Sequence, residues 1–425
     1  MAWGKTTALI AGAAVVAGTA DAQTKQQVTG PVSTYWMSAQ TTSGFGAGMG
    51  AGGGRPSMGS MMGAMMGGGS NVSKTLTLQL GSSRKPAGEP SAEHIPPAAL
   101  RAGPTLPLLT PKAVVAQREE ETPSVPTEFQ KPKGRMLIFW GCGEHARPGQ
   151  PIVIDFAQMA AGKVPAGMEA MTRQLAVTPM RPPSASRNTT YGEWPNERTR
   201  THVPADGSLF GDHLIRGTYT PDIKFALNQG QDFLGPLDLT TNAVTPTGAG
   251  QLGWRTVQGA QGYLATAVGA GEDDTMVMWS SSEVQASAFA LPDYLSNADL
   301  AKLVASKALM GPQATSCTVP QEVLKVAKTP LVQLAAYGNE TNLSYPPRPA
   351  DPKVPWNIDW TVKVRYKSQT GGILGMEMAG AGDMAEEAPA RGGQAPQRGR
   401  SAPQPALPGV GGAILRGLGG RIPGL

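Results

Sequence analysis

The chain has 425 residues, enough for two or three domains, with 40% hydrophobic and only 16% charged residues. Its 55 glycines and 38 prolines are nearly twice the usual share. This argues against a long coiled coil, a polytopic membrane protein and a fully disordered chain, and implies an ordered core smaller than the length suggests. The net charge is +5, but segment 388–425 holds Arg391, Arg398, Arg400, Arg416 and Arg421 and no acid, so the body is neutral and no basic nucleic-acid-binding face is expected.

Residues 1–22 (MAWGKTTALIAGAAVVAGTADA) have the layout of a secretory signal peptide. Lys5 is the positive start, Ala8 to Ala17 the apolar run, and Ala20-Asp21-Ala22 a small-x-small cleavage site before Gln23. The run is short for a membrane span, and an uncleaved anchor is the competing reading. No Cys follows the site and no later stretch approaches 18 apolar residues. The mature chain is therefore expected to be exported to the periplasm, cell surface or medium, with no transmembrane span.

Residues 23–81 read as a strand pair. Leu76, Leu78 and Leu80 alternate with Thr and Gln, the period of a half-buried strand. Between the two strands, 44–69 is a Gly/Met-rich flexible loop. Residues 82–132, with ten prolines, read as an extended linker. Residues 133–213 form a β-rich region: MLIFW at 136–140 predicts a buried strand, Ile152, Ile154 and Phe156 a second, 167–176 a short helix and 178–206 a long loop. Strand patterns return at 214–226, 251–256, 262–268, 275–281 and 331–337. The clearest strand is 358–367, with Ile358, Trp360, Val362, Val364 and Tyr366 on one face and charged or polar residues on the other, so one face should be buried and one wet. A helix is expected at 297–309, capped by Ser296 with Asp299 three residues on and ended by Gly311-Pro312. A shorter one runs from about Pro320 to Lys328. Residues 371–425 read as a disordered Gly/Pro/Arg tail.

Cys142 and Cys317 are an even pair. In an oxidising compartment such a pair favours a disulfide, here closing a loop worth about 5 kcal/mol in the chain-entropy model. The competing reading makes Cys142, in Gly141-Cys142-Gly143-Glu144-His145, a nucleophile or metal ligand activated by His145. The four histidines, His94, His145, His202 and His213, lack metal-ligand spacing, and no G-x-S-x-G or phosphate-loop motif occurs. Glu272-Asp273-Asp274 reads as a solvated hairpin turn rather than a Ca²⁺ loop.

Met49, Met58, Met61, Met62, Met65 and Met66 place six thioethers on the Gly-rich loop. Soft Cu(I) selects such sulfur, so copper buffering is one functional reading. A sticky spacer with no cofactor is the plainer one.

The stretch QLGWRTVQGAQGYLATAVGAG (251–271) puts Trp254 at the end of one strand and Tyr263 at the start of the next. It resembles the hairpin between the second and third strands of fibronectin type III domains. There a Trp and a Tyr pack across the core, which here would also hold Trp360. The resemblance implies an immunoglobulin or fibronectin-like antiparallel β-sandwich over 214–370, with the helix at 297–309 inserted, and it implies no activity. With its GCGE and W-x8-Y segments the whole chain also resembles a group of uncharacterised exported bacterial proteins.

The expectation is a mainly β, non-catalytic envelope or extracellular interaction protein. Its partner would be an envelope protein or an anionic surface polymer touched by the tail arginines. The alternatives are copper buffering and a periplasmic hydrolase.

Overall fold

The computed structural model describes residues 26–44, 72–111, 134–163, 177, 180–285 and 291–376. Of these, 44% are strand and 8% helix, which makes the fold mainly β. The first strands are β1 (Val28–Thr29), β2 (Ser33–Gly44), β3 (Val72–Ser82), β4 (Ala92–Ile95), β5 (Leu106–Leu108), β6 (Arg135–Trp140), β7 (Ile152–Asp155), β8 (Thr190–Trp194), β9 (Gly211–Gly217) and β10 (Thr220–Leu227). There follow β11 (Leu239–Val244), β12 (Gly250–Trp254), β13 (Ala260–Ala270), β14 (Thr275–Ser280), β15 (Ser316–Val319), β16 (Leu331–Gly338), β17 (Thr341–Tyr345), β18 (Trp356–Asn357) and β19 (Trp360–Ile373). The α-helices are α1 (Phe156–Ala160), α2 (Asn297–Ala305) and α3 (Gln321–Val326). Among the described residues no helix is long and apolar enough to cross a membrane.

Ten strands form one large sheet in the order β7-β6-β14-β13-β16-β19-β2-β3-β8, with β17 also on β19. A four-stranded sheet runs β10-β9-β4-β5, a three-stranded sheet β11-β12-β15, and β1 pairs with β18. The alternation of β2 and β3 explains their register. Tyr35, Met37 and Ala39 lie opposite Leu80, Leu78 and Leu76 and fill the inner face. That face shares one core with apolar residues of both smaller sheets: Leu106, Leu108 and Ile215 from one, Leu252, Trp254 and Val319 from the other. On the opposite face, α2 lays Leu300 and Leu303 against Leu264, Ala335 and Tyr337. Its cap is as expected, with Ser296 accepting from the Asp299 N–H.

The structure departs from the sequence reading in several places: α2 stops at Ala305 rather than 309, Phe156 opens α1 instead of ending a strand, and 371–373, expected in the tail, continue β19. Residues 82–111, expected as linker, carry β4, a 3₁₀ turn (Ala98–Leu100) and β5, and bury Leu100, Leu106 and Leu108. Pro90 and Pro96 flank β4, and Pro107 sits inside β5, which tolerates it as the edge strand of its sheet. The expected loop at 178–206 contains β8, whose Gly192 lies against β5, because a Cβ there would meet Tyr219 Oη at 2.6 Å and the Leu108 carbonyl at 2.8 Å. The W-x8-Y segment is no hairpin, since β12 and β13 belong to different sheets and the chain turns a corner between them. The large sheet is not wholly antiparallel, as β19 pairs in parallel with β2, and β14 with β6. The hairpin turn at Glu272-Asp273-Asp274 is present, with Asp273 and Asp274 both in the left-handed region (φ 52° and 53°) that tight hairpins use.

Candidate functional site

The site begins with the faces of β2, β3 and β19. Lateral pairing sets Thr77, Ser38 and Arg365 in one row, with Gln79, Trp36 and Lys363 on one side and Thr75, Gln40 and Lys367 on the other. All nine point to the outer face, because their neighbours Tyr35, Met37, Leu76, Leu78, Val362 and Val364 point into the core. The outer face of β19, expected to be wet, is largely enclosed: the Lys363 and Lys367 side chains are 20% and 7% exposed. Charged groups held there need partners.

Two of the three cations have them. Lys363 Nζ lies 2.5 Å from Glu340 Oε2, and Lys367 Nζ 3.0 Å from Asp293 Oδ1. Arg365 has no carboxylate within ion-pair distance among the described residues. Its guanidinium carbon stands 4.8 Å from the Trp36 ring and 4.5 Å from the Tyr294 ring. Nε donates to Ser38 Oγ at 3.1 Å, Nη2 donates to the same oxygen, and Nη1 faces Met180 Sδ at 3.8 Å. A guanidinium has five N–H donors, so among the described residues donors remain for a further acceptor. Burial lowers its pKa while Tyr294, Glu340 and Asp293 draw it back up. Burial raises that of Tyr294.

Arg365 opens into a cavity of about 490 Å³. The floor is the hydroxyl and amide ladder of Ser38, Gln40, Thr75, Thr77 and Gln79, and the walls are Met180 with Pro182 and Pro292 to Tyr294. The arrangement can hold an anionic group at Arg365 and hydrogen-bond a hydroxylated body along the ladder.

The residues singled out in the sequence lie elsewhere. Cys142, just after β6, and Cys317, in β15, stand at disulfide distance, S–S 2.06 Å and Cα–Cα 5.3 Å. The thiol reading of Cys142 is thereby corrected, since no free cysteine remains. His145 instead pairs with Glu322, Nδ1 to Oε1 3.3 Å. Trp254 and Tyr263 meet across the two sheets with ring centroids 5.8 Å apart, and Tyr263 Oη accepts from the Val257 N–H at 2.7 Å. Trp360 is buried and stacks on Tyr345, centroids 5.6 Å apart. The six loop methionines and the five tail arginines lie outside the described residues, as do 1–22. Among the described residues no group of three or more His, Cys, Asp or Glu could hold a metal ion.

Sequence reasoning did not single out Arg365, Trp36 or Tyr294. The one signal was the Lys-x-Arg-x-Lys alternation of 363–367, a dense positive run on a strand face. Compared with protein-family models, with curated proteins and with solved structures, the chain matches none.

Proposed function

We propose that the protein is a non-catalytic, exported binding protein of the cell envelope, whose outer-face groove takes an acidic saccharide of an anionic surface polymer. The observation that carries this is Arg365, which unlike Lys363 and Lys367 on the same strand face has no carboxylate within ion-pair distance among the described residues, and which stands at the head of a ladder of hydroxyls and amides. A partly buried guanidinium with donors unused among the described residues gains most from a ligand carboxylate. The Ser, Thr and Gln ladder suits a ligand rich in hydroxyls. The stacked sheets, pinned by Trp254 and Tyr263, are read as a β-sandwich, and export rests on the leader at 1–22.

The test is calorimetric titration of the full chain with oligogalacturonate, the neutral galactose oligomer and inorganic phosphate. Saturable binding of oligogalacturonate alone is expected, weakened at least about tenfold in Arg365→Gln, the loss of one charge-assisted contact. Equal binding by the wild type and Arg365→Gln, or no binding of oligogalacturonate, overturns the proposal.

A further inference from the structure

A buried polar chain crosses the core from the large sheet to the four-stranded sheet. The Tyr35 hydroxyl, on β2, lies 2.9 Å from His94 Nδ1, on β4. His94 Nε2 lies 2.9 Å from His213 Nδ1, on β9, and His213 Nε2 lies 2.7 Å from the Leu209 carbonyl oxygen. All three side chains are buried, and His213 stacks on Phe225 with centroids 4.9 Å apart.

The carbonyl end settles every proton of the neutral chain. A carbonyl only accepts, so His213 Nε2 carries hydrogen and its Nδ1 is an acceptor. His94 Nε2 therefore donates to His213, and His94 Nδ1 accepts from the Tyr35 hydroxyl. Every donor then has an acceptor.

One added proton finds an acceptor within the chain. It occupies His94 Nδ1, and the Tyr35 hydroxyl turns to accept instead of donate. Moving one proton across the 2.9 Å gap then carries the charge to His213. The Leu209 carbonyl, Asp212 and Asp232 favour the charge there. Asp232 is itself held by the N–H groups of Leu209 and Phe233 and by the Ser208 hydroxyl, with Lys74 nearby. A second proton has no such place. Both rings would then present N–H groups to each other across that gap, and no acceptor would remain. Burial holds both imidazoles below the ordinary histidine value, so in the closed state the chain is neutral near pH 7.

We propose that Tyr35, His94 and His213 form an acid-operated fastening between the ten-stranded and four-stranded sheets, which stores one proton and opens on the second. The inference is independent of the ligand in the outer groove.

The experiment is hydrogen exchange of the full chain from pH 7 to 4.5, corrected for the intrinsic pH dependence of exchange. Opening at β4 and β9 is expected to rise ever more steeply as pH falls below 6.5, approaching about a hundredfold per pH unit near pH 5.5, where nearly two protons are taken up on opening. It then slackens to about tenfold per unit once the closed chain holds its first proton. Protection in the three-stranded sheet should stay level through this range. Tyr35→Phe cannot accept the first proton and should keep the steeper dependence throughout. Should that variant not fold, ¹⁵N shifts of histidine in the wild type decide, with His94 and His213 both neutral and protonated on Nε2 at pH 7. Flat protection at β4 and β9, equal loss in the three-stranded sheet, or a charged or Nδ1-protonated ring at pH 7 overturns the proposal.

Discussion

The two smaller sheets cover the same face of the large sheet, yet they are fastened to it by different chemistry. The three-stranded sheet is tied through Cys317 in β15 to Cys142 beyond β6. Backbone bonds reinforce the tie: Gly143 N–H to the Thr318 carbonyl at 2.9 Å, and Gln321 N–H to the Glu144 carbonyl at 2.9 Å. The four-stranded sheet is tied by the neutral Tyr35–His94–His213 chain. A covalent tie is blind to acid and open to reductant, and an imidazole chain is the reverse. One core can thus be loosened from either end by a separate stress, which a core of packed side chains alone would not allow.

The largest effect should come from the covalent side. Replacing Cys142 and Cys317 together by Ala removes a closure spanning 175 residues and should cost up to about 5 kcal/mol in denaturant unfolding. The loss of exchange protection should concentrate at β12 and β15. If β4 and β9 lose protection equally, the two fastenings are one cooperative unit and the comparison fails.

Acid should act next in size and on the other sheet. Both imidazoles are depressed by burial, so below the ordinary histidine pKa of about 6.5 the unfolded chain binds more protons than the folded one. The contribution to stability is therefore present above pH 6.5 and lost as pH falls, by about 1.4 kcal/mol per pH unit for each proton taken up on unfolding. Urea midpoints measured between pH 7 and 5 check the slope. A His94→Gln, His213→Gln pair should flatten it. An unchanged slope in that variant would place the acid response elsewhere.

How far the sequence showed these features depends on whether their partners are local. The strands around Leu76 to Leu80 and Val362 to Tyr366 were legible because alternation is a property of one segment, and the cap of α2 because Ser296 and Asp299 are three residues apart. The disulfide was legible as the single pairing of an even count. β4, β5 and β8 were not, because strands of three to five residues in proline-rich stretches hold their place by sheet pairing and carry little period of their own. His94 and His213 are 119 residues apart, so each reads alone as a loop histidine. Arg365 reads as a wet charge until Trp36 and Tyr294 are brought to it by the parallel pairing of β2 with β19 and by the segment before α2.

The outer face supplies a control for the two inner fastenings. Arg365→Met keeps an unbranched side chain between Trp36 and Tyr294 and removes a partly buried charge without orphaning a carboxylate among the described residues. Its stability should stay within about 1 kcal/mol of the wild type, on either side. Neither the acid slope nor the reductant response should move. A loss of several kcal/mol would mean that the guanidinium is a structural brace, and the groove would lose its claim as a binding site.

The smallest effect is the most exacting. If disulfide and imidazole chain fasten separate sheets, the stability lost on reduction and that lost on acidification should add. The coupling in a cycle of wild type and Cys142→Ala, Cys317→Ala, each at pH 7 and pH 5, should then be below about 0.5 kcal/mol. The ties share no residue and lie on different sheets, but the large sheet runs between them, and β6 and β2 are separated in it by β14, β13, β16 and β19. If those four strands carry strain from one tie to the other, the cycle will show a coupling of about 1 kcal/mol or more. Its sign would tell the mode. A smaller acid loss in the reduced form means that the tie at β6 strains the chain at β2, and a larger one means that each tie holds the sheet in the shape the other needs.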